Sequence, residues 1–227
     1  MLPIALVFVL SLLLALVCSA IPWLARPLGS WTLAIVLVVG IAVGLLSLVF
    51  ALPLYPWSDL VVLLVAWSGG LLLGRWVAPH FRPFLLVFLC FSAVDVLQFA
   101  VGLSASSAAG PPTPVNATAL HVGDFLLLLP WGRFAINIVD LLLITTLAEH
   151  WRRRGTPYFI AVLPSAVGFL LADGFILVTG RGFLPGIPFF TAGYLVSEGV
   201  YRYVSRHRAP PSAQSARQGP VARGTGS

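Results

Sequence analysis

The chain has 227 residues and a formal net charge of +6, with 59% hydrophobic and only 9% charged residues. An average soluble protein carries roughly 25% charged residues, so this composition argues against an ordinary soluble enzyme, a disordered chain and a nucleic-acid binder. All thirteen cations are arginines, and there are only seven acids: Asp59, Asp95, Asp124, Asp140, Glu149, Asp173 and Glu198.

About 20 apolar residues carry a helix across the hydrocarbon core. In chain order the qualifying stretches run from Leu2 to Leu24, Trp31 to Leu52, Leu60 to Val77, Phe84 to Leu103, Trp131 to His150 and Tyr158 to Gly180. A weaker seventh, Leu184 to Val204, contains Pro185, Pro188 and Glu198. The expected fold class is therefore all-α, a polytopic transmembrane bundle of six or seven helices. The first stretch has no cation before its apolar run and is long for a signal sequence, so it reads as a retained helix. Asp59 reads as the N-terminal cap of the third helix. Six of the seven tryptophans (Trp23, Trp31, Trp57, Trp76, Trp131, Trp151) fall at expected helix ends, as an aromatic belt does. Cys18 and Cys90 lie in apolar runs and read as small buried hydrophobes, not as a disulfide or a zinc site. Ser68, beside Gly69 and Gly70, reads as a packing residue.

Arginine sets the expected orientation. Arg26, Arg75, Arg82, the run Arg152 to Arg154 and the tail arginines from Arg202 onward share one face if there are seven crossings; Arg133 and Arg181 fall toward the other. The positive-inside rule then puts the N-terminus outside and the C-terminal tail in the cytoplasm. The segment from Ser104 to Ala119, rich in Ser, Ala, Pro and Gly, lies outside and carries the sequon Asn116-Ala117-Thr118. Residues 209–227 read as a disordered tail whose arginines either touch anionic lipids or simply fix topology.

An acid inside the bilayer costs roughly 2.5–3.5 kcal/mol and so marks a functional position or a partner. Asp95 is expected in the outer part of the fourth helix and Asp140 near the middle of the fifth, at comparable depth on neighbouring helices. Two carboxylates sharing a site hold one proton between them near neutrality. The ionised one takes a proton from water while the protonated one polarises a carbonyl, which is aspartic-protease chemistry without metal or cofactor. The alternative is that both are isolated polar groups fixing helix packing. Asp173 is expected in the outer part of the sixth helix with no role in such a dyad. Glu198 is expected to pair with Arg202 one turn later. Glu149-His150 reads as an interfacial pair, and His121 as a loop histidine near the outer mouth.

Around Asp140 the chain resembles signal peptidase II, the lipoprotein signal peptidase family. Asp124-Phe125 matches the family's upstream Asp-Phe. Asn137 and Asp140, within Phe134-Ala135-Ile136-Asn137-Ile138-Val139-Asp140, keep its Asn-x-x-Asp spacing, and Asp95 falls on the preceding helix. Ser92 and Val96 stand where the family has Asn and Arg, and the family's early lysine motif has no counterpart. The resemblance implies a four-helix core over residues 31–154, with one additional transmembrane helix before it (1–30) and further helices after it (155–208). It also implies catalytic Asp95 and Asp140, orienting Asn137 and Ser92, Asp124 and Phe125 at the outer rim, and Arg133 as a substrate or lipid contact. The implied substrate is a lipid-modified precursor protein in a bacterial inner membrane. Without the resemblance, a non-enzymatic complex subunit or a small-solute transporter fits the same composition.

Overall fold

A computed structural model of the chain describes residues 4–50, 57–77, 80–100, 124–129, 132–179 and 186–207. Seven helices and one hairpin make up the described residues. Helices α1 (Ile4–Leu24), α2 (Ser30–Val49), α3 (Trp57–Val77) and α4 (Phe81–Ala100) come first. Strands β1 (Asp124–Leu129) and β2 (Gly132–Asn137) follow, and then α5 (Ile138–Arg153), α6 (Tyr158–Thr179) and α7 (Ile187–His207). The segment 104–119, the sequon, His121, Trp131, Arg181 and the tail lie outside the described residues.

Helices α1, α2, α3 and α6 each contain a span long and apolar enough to cross a bilayer: Ala5–Leu24, Ser30–Ser47, Trp57–Val77 and Tyr158–Val178. Their outward faces carry large apolar side chains with no protein cover. Ile35 and Val38 of α2 are 61% and 65% exposed, and Val178 of α6 is 85% exposed. Continuous apolar surface of this kind needs a non-aqueous neighbour, and lipid is the solvent that supplies it. The chain is a membrane protein built as a helical bundle.

Helix α5 is the centre of that bundle. It packs on α3 most extensively and also on α1, α6 and α7. From Leu143 to Trp151 every residue is buried. Glycine lets α3 come close. A Cβ at Gly70 would sit 2.5 Å from the carbonyl oxygen of Leu142, and one at Gly74 2.8 Å from Cβ of Glu149. Ser68 is buried beside them and bonds back to the Leu64 carbonyl at 2.6 Å, as its reading as a packing residue requires. The α6–α7 crossing uses the same device. Gly168 faces Phe190, and Gly193 lies against the backbone of α6 at Pro164 and Gly168, where a side chain would not fit.

The fifth helix differs from its expected form. It begins at Ile138 rather than Trp131 and has 16 residues, about 24 Å at 1.5 Å per residue. Residues 124–129 and 132–137 instead pair as antiparallel strands, with Asp124 opposite Asn137 and Leu129 opposite Gly132. The run Leu126–Leu129 is short and apolar, and a run of that kind fits a strand as well as a helix. Asn137 then starts the helix: its backbone is extended and its side-chain oxygen accepts the Val139 N–H at 2.8 Å. Asp140 is consequently in the first turn of α5, not near its middle. Asp59, likewise, lies in the first turn of α3 and not before it.

Candidate functional site

Asp95 and Asp140 come from different helices and approach two consecutive residues, Ile187 and Gly186. Asp95, half-buried on α4, accepts the Ile187 N–H through Oδ2 at 3.0 Å. Asp140, half-buried in the first turn of α5, lies against Gly186: a Cβ there would be 3.1 and 3.3 Å from its two carboxylate oxygens. Gly186 and Ile187 open α7, with the Gly186 carbonyl accepting the first helical N–H groups from Phe189 and Phe190. Free N–H groups at a helix start favour a carboxylate, so α7 presents its N-terminal turn to both acids.

One turn further along, the Ser92 hydroxyl and the Thr191 hydroxyl are 2.8 Å apart. Ser92 therefore ties α4 to α7 instead of bonding either carboxylate, as the expected orienting role required. Its effect on Asp95 is indirect: residues 92 and 95 on α4 meet residues 191 and 187 on α7, and the two contacts fix the register of the pair. Asn137 caps the helix that carries Asp140, its side-chain oxygen accepting the Val139 N–H. Asp124 and Phe125 start β1, with Asp124 in register opposite Asn137 and Phe125 opposite Ile136. Arg133 lies in β2 opposite Leu128. The hairpin thus runs directly into the start of α5, which carries Asp140. Among the described residues there is no group of three or more His, Cys, Asp or Glu side chains placed to hold a metal ion.

A second polar constellation occupies the opposite end of the bundle. Glu149 is fully buried and receives Arg152 at 2.7 and 2.8 Å, Arg153 at 3.1 Å and Arg75 at 3.5 Å. Arg75 also donates to the carbonyls of Leu28 and Ala25, tying the α1–α2 connection to α3. Glu198 pairs with Arg202 at 2.6 Å, as expected, and with Arg154 in a two-pronged contact. The Arg154 guanidinium also covers the rings of Trp151 and Tyr201. His150 is fully buried, stacks on Phe84 with centroids 4.0 Å apart, and shares a 3.1 Å hydrogen bond with the Tyr194 hydroxyl.

This end corrects three expectations. Glu149 and His150 are core residues, not an interfacial pair, because the glycine face of α3 with Arg75, Arg152 and Arg153 encloses the first and Phe84 with Tyr194 covers the second. Trp151 is fully buried and does not belong to an aromatic belt, whereas Trp31, Trp57 and Trp76 are 85%, 69% and 86% exposed at their helix ends. Cys18 is buried as expected, but Cys90 is exposed on the outer surface of α4. The expected gathering of arginines at one face agrees with these contacts, which place Arg75, Arg152 to Arg154 and Arg202 together.

Sequence reasoning missed Gly186, Ile187 and Thr191. The signal was Gly186-Ile187-Pro188: glycine followed two residues later by proline is a helix-start pattern. No protein-family model, no curated protein and no solved structure matches this chain.

Proposed function

We propose that the chain is a membrane aspartic endopeptidase of the lipoprotein signal peptidase type, with Asp95 and Asp140 as its catalytic pair. The observation that carries this reading is the meeting of both carboxylates at Gly186–Ile187. One carboxylate takes a proton from a water molecule as the water oxygen attacks the scissile carbonyl carbon. The other, protonated, donates to the carbonyl oxygen. Proton return to the amide nitrogen then breaks the C–N bond. Asn137 and Ser92 position the two helices; Asp124, Phe125 and Arg133 border the site through the hairpin, with Arg133 the contact for substrate or lipid phosphate. The substrate is a lipid-modified precursor protein. The setting is a bacterial inner membrane, with six or seven spans and the arginine-rich end and C-terminal tail in the cytoplasm.

The test is turnover of such a precursor by the full chain in lipid. Asp95→Asn and Asp140→Asn are each expected to lower the rate at least ~10³-fold, with the double variant little worse than either single one, since paired groups act as a unit. Full turnover by either single variant overturns the reading.

A second reading has its own observation. Asn137 is the N-cap of α5 and Asp140 is its third helical residue, the spacing of a capping box. In that reading the acids are structural, and the chain is a complex subunit or a small-solute transporter. Unchanged helix stability in Asp140→Asn together with loss of turnover favours the peptidase; the reverse favours the structural role.

A further inference from the structure

The arginine-rich end holds more positive charge than its own acids balance. Five guanidinium groups meet two buried carboxylates: Arg75, Arg152 and Arg153 at Glu149, and Arg154 and Arg202 at Glu198. Three of the five charges are left over. The other acids among the described residues lie toward the far end. Asp59 and Asp140 stand in the first turns of α3 and α5, and Asp124 faces the Asn137 that caps α5. Asp95 and Asp173 fall in the later halves of α4 and α6, which both start from the arginine-rich end. Exposed Arg26 and Arg82, in the α1–α2 connection and at the start of α4, add to the excess. Like charges held this close repel, so the cluster calls for anions from outside the chain.

Arg153 and Arg202 are its outermost members, with side chains 39% and 53% exposed, whereas Arg75, Arg152 and Arg154 are largely enclosed. Each of the two meets its carboxylate through Nε, at 3.1 and 2.6 Å. A guanidinium has five N–H donors in a planar fork. It can therefore hold a carboxylate on one edge and a phosphate on another.

The surroundings identify the anion. Trp76 follows Arg75 at the end of α3, and Trp31 opens α2 three residues after Leu28, whose carbonyl Arg75 holds. Both rings are almost fully exposed, at the ends of spans of bilayer length. Tryptophans so placed mark headgroup depth, where the densest anions are lipid phosphates. In phosphatidylcholine the choline cancels the phosphate charge; in an anionic lipid nothing does.

We propose that this end of the bundle is a binding surface for anionic phospholipid, with Arg153 and Arg202 meeting the headgroup phosphates. The proposal does not depend on the catalytic reading of Asp95 and Asp140, nor on which side of the membrane the arginines face.

The test uses the full chain in phosphatidylcholine vesicles carrying a trace of dansyl-labelled lipid. Energy transfer from the tryptophans of the chain reports which lipid sits against the bundle. A phosphatidylglycerol probe is expected to be enriched there about fivefold over a phosphatidylcholine probe, the weight of one arginine at an anionic headgroup. Arg153→Gln combined with Arg202→Gln is expected to abolish the enrichment. Arg153→Lys with Arg202→Lys, which keeps the charge, is expected to retain it. Arg217→Gln with Arg223→Gln removes the same charge near the C-terminus and is expected to leave it unchanged. Equal transfer to the two probes, or undiminished enrichment in the first double variant, overturns the proposal. So does an equal loss in the Arg217 and Arg223 variant, which would make the preference one of net charge. Loss of the enrichment on adding low-millimolar glycerol phosphate overturns it in favour of a soluble phosphate ester.

Discussion

The two ends of the bundle bury their acids in different ways. At the arginine-rich end, Glu149 and Glu198 are enclosed by guanidinium groups, three around the first and two around the second. At the other end, among the described residues, Asp95 receives one backbone N–H, from Ile187, and Asp140 packs against Gly186. A carboxylate held in several forked contacts has little freedom to exchange a proton or meet a substrate. A carboxylate held by one amide, half-buried, keeps an oxygen available. The first arrangement locks the ends of α3, α5 and α7 together; the second sets two carboxylates, from α4 and α5, at the start of α7. Acids that look alike in the sequence thus sit in different surroundings, and the proposed function assigns them different work.

Breaking the contrast at its rigid end has the largest expected effect on stability. Glu149→Ala leaves Arg75, Arg152 and Arg153 facing a void in the core and is expected to cost about 3 kcal/mol, measured by reversible denaturation in mixed micelles. Asp95→Ala removes one hydrogen bond from a half-buried group and is expected to cost about 1 kcal/mol, while abolishing turnover. Equal losses for the two variants would erase the distinction between a locking acid and a working one.

Smaller changes sharpen the comparison. Gly70→Ala drives a Cβ against the Leu142 carbonyl and Thr145 and is expected to cost about 2 kcal/mol through overpacking, reporting on how α5 is seated. Asn137→Ala removes the cap of α5 and is expected to cost about 1 kcal/mol. Ser92→Ala breaks the link to Thr191 at a cost of about 0.6 kcal/mol, with a larger effect on turnover than on stability if register matters to Asp95. A thermal shift of equal rank order for all of these variants, with no separate effect on turnover, would mean that the two ends do the same job.

The membrane class and the main helices were legible from apolar runs of the right length, because bilayer thickness fixes that length. The Glu198–Arg202 pair was legible because it is local, one turn apart on one helix. The start of α5 was not. Leu126–Leu129 has no periodicity to separate strand from helix, and the deciding feature is the side chain of Asn137 turning back on Val139. The burial of Glu149 and His150 was also hidden. Polar residues near a helix end ordinarily mark an interface, and only the approach of α3 through Gly70 and Gly74 encloses them. Asp95 and Asp140 stood out in the sequence as acids in apolar stretches, but the place they approach did not, since Gly186 and Ile187 lie more than 45 residues away along the chain, beyond any local pattern.

The most direct measurement is the separation of the two acids in the full chain in lipid. With Cys18 and Cys90 replaced by alanine, Asp95→Cys and Asp140→Cys are combined and treated with a thiol cross-linker spanning ~5 Å, the reach of two hydrogen bonds through one water. Rapid bridging of this pair, and none between Asp95→Cys and Asp173→Cys, is the expected result. Failure to bridge positions 95 and 140 with both cysteines reactive would contradict a shared acid site at the start of α7.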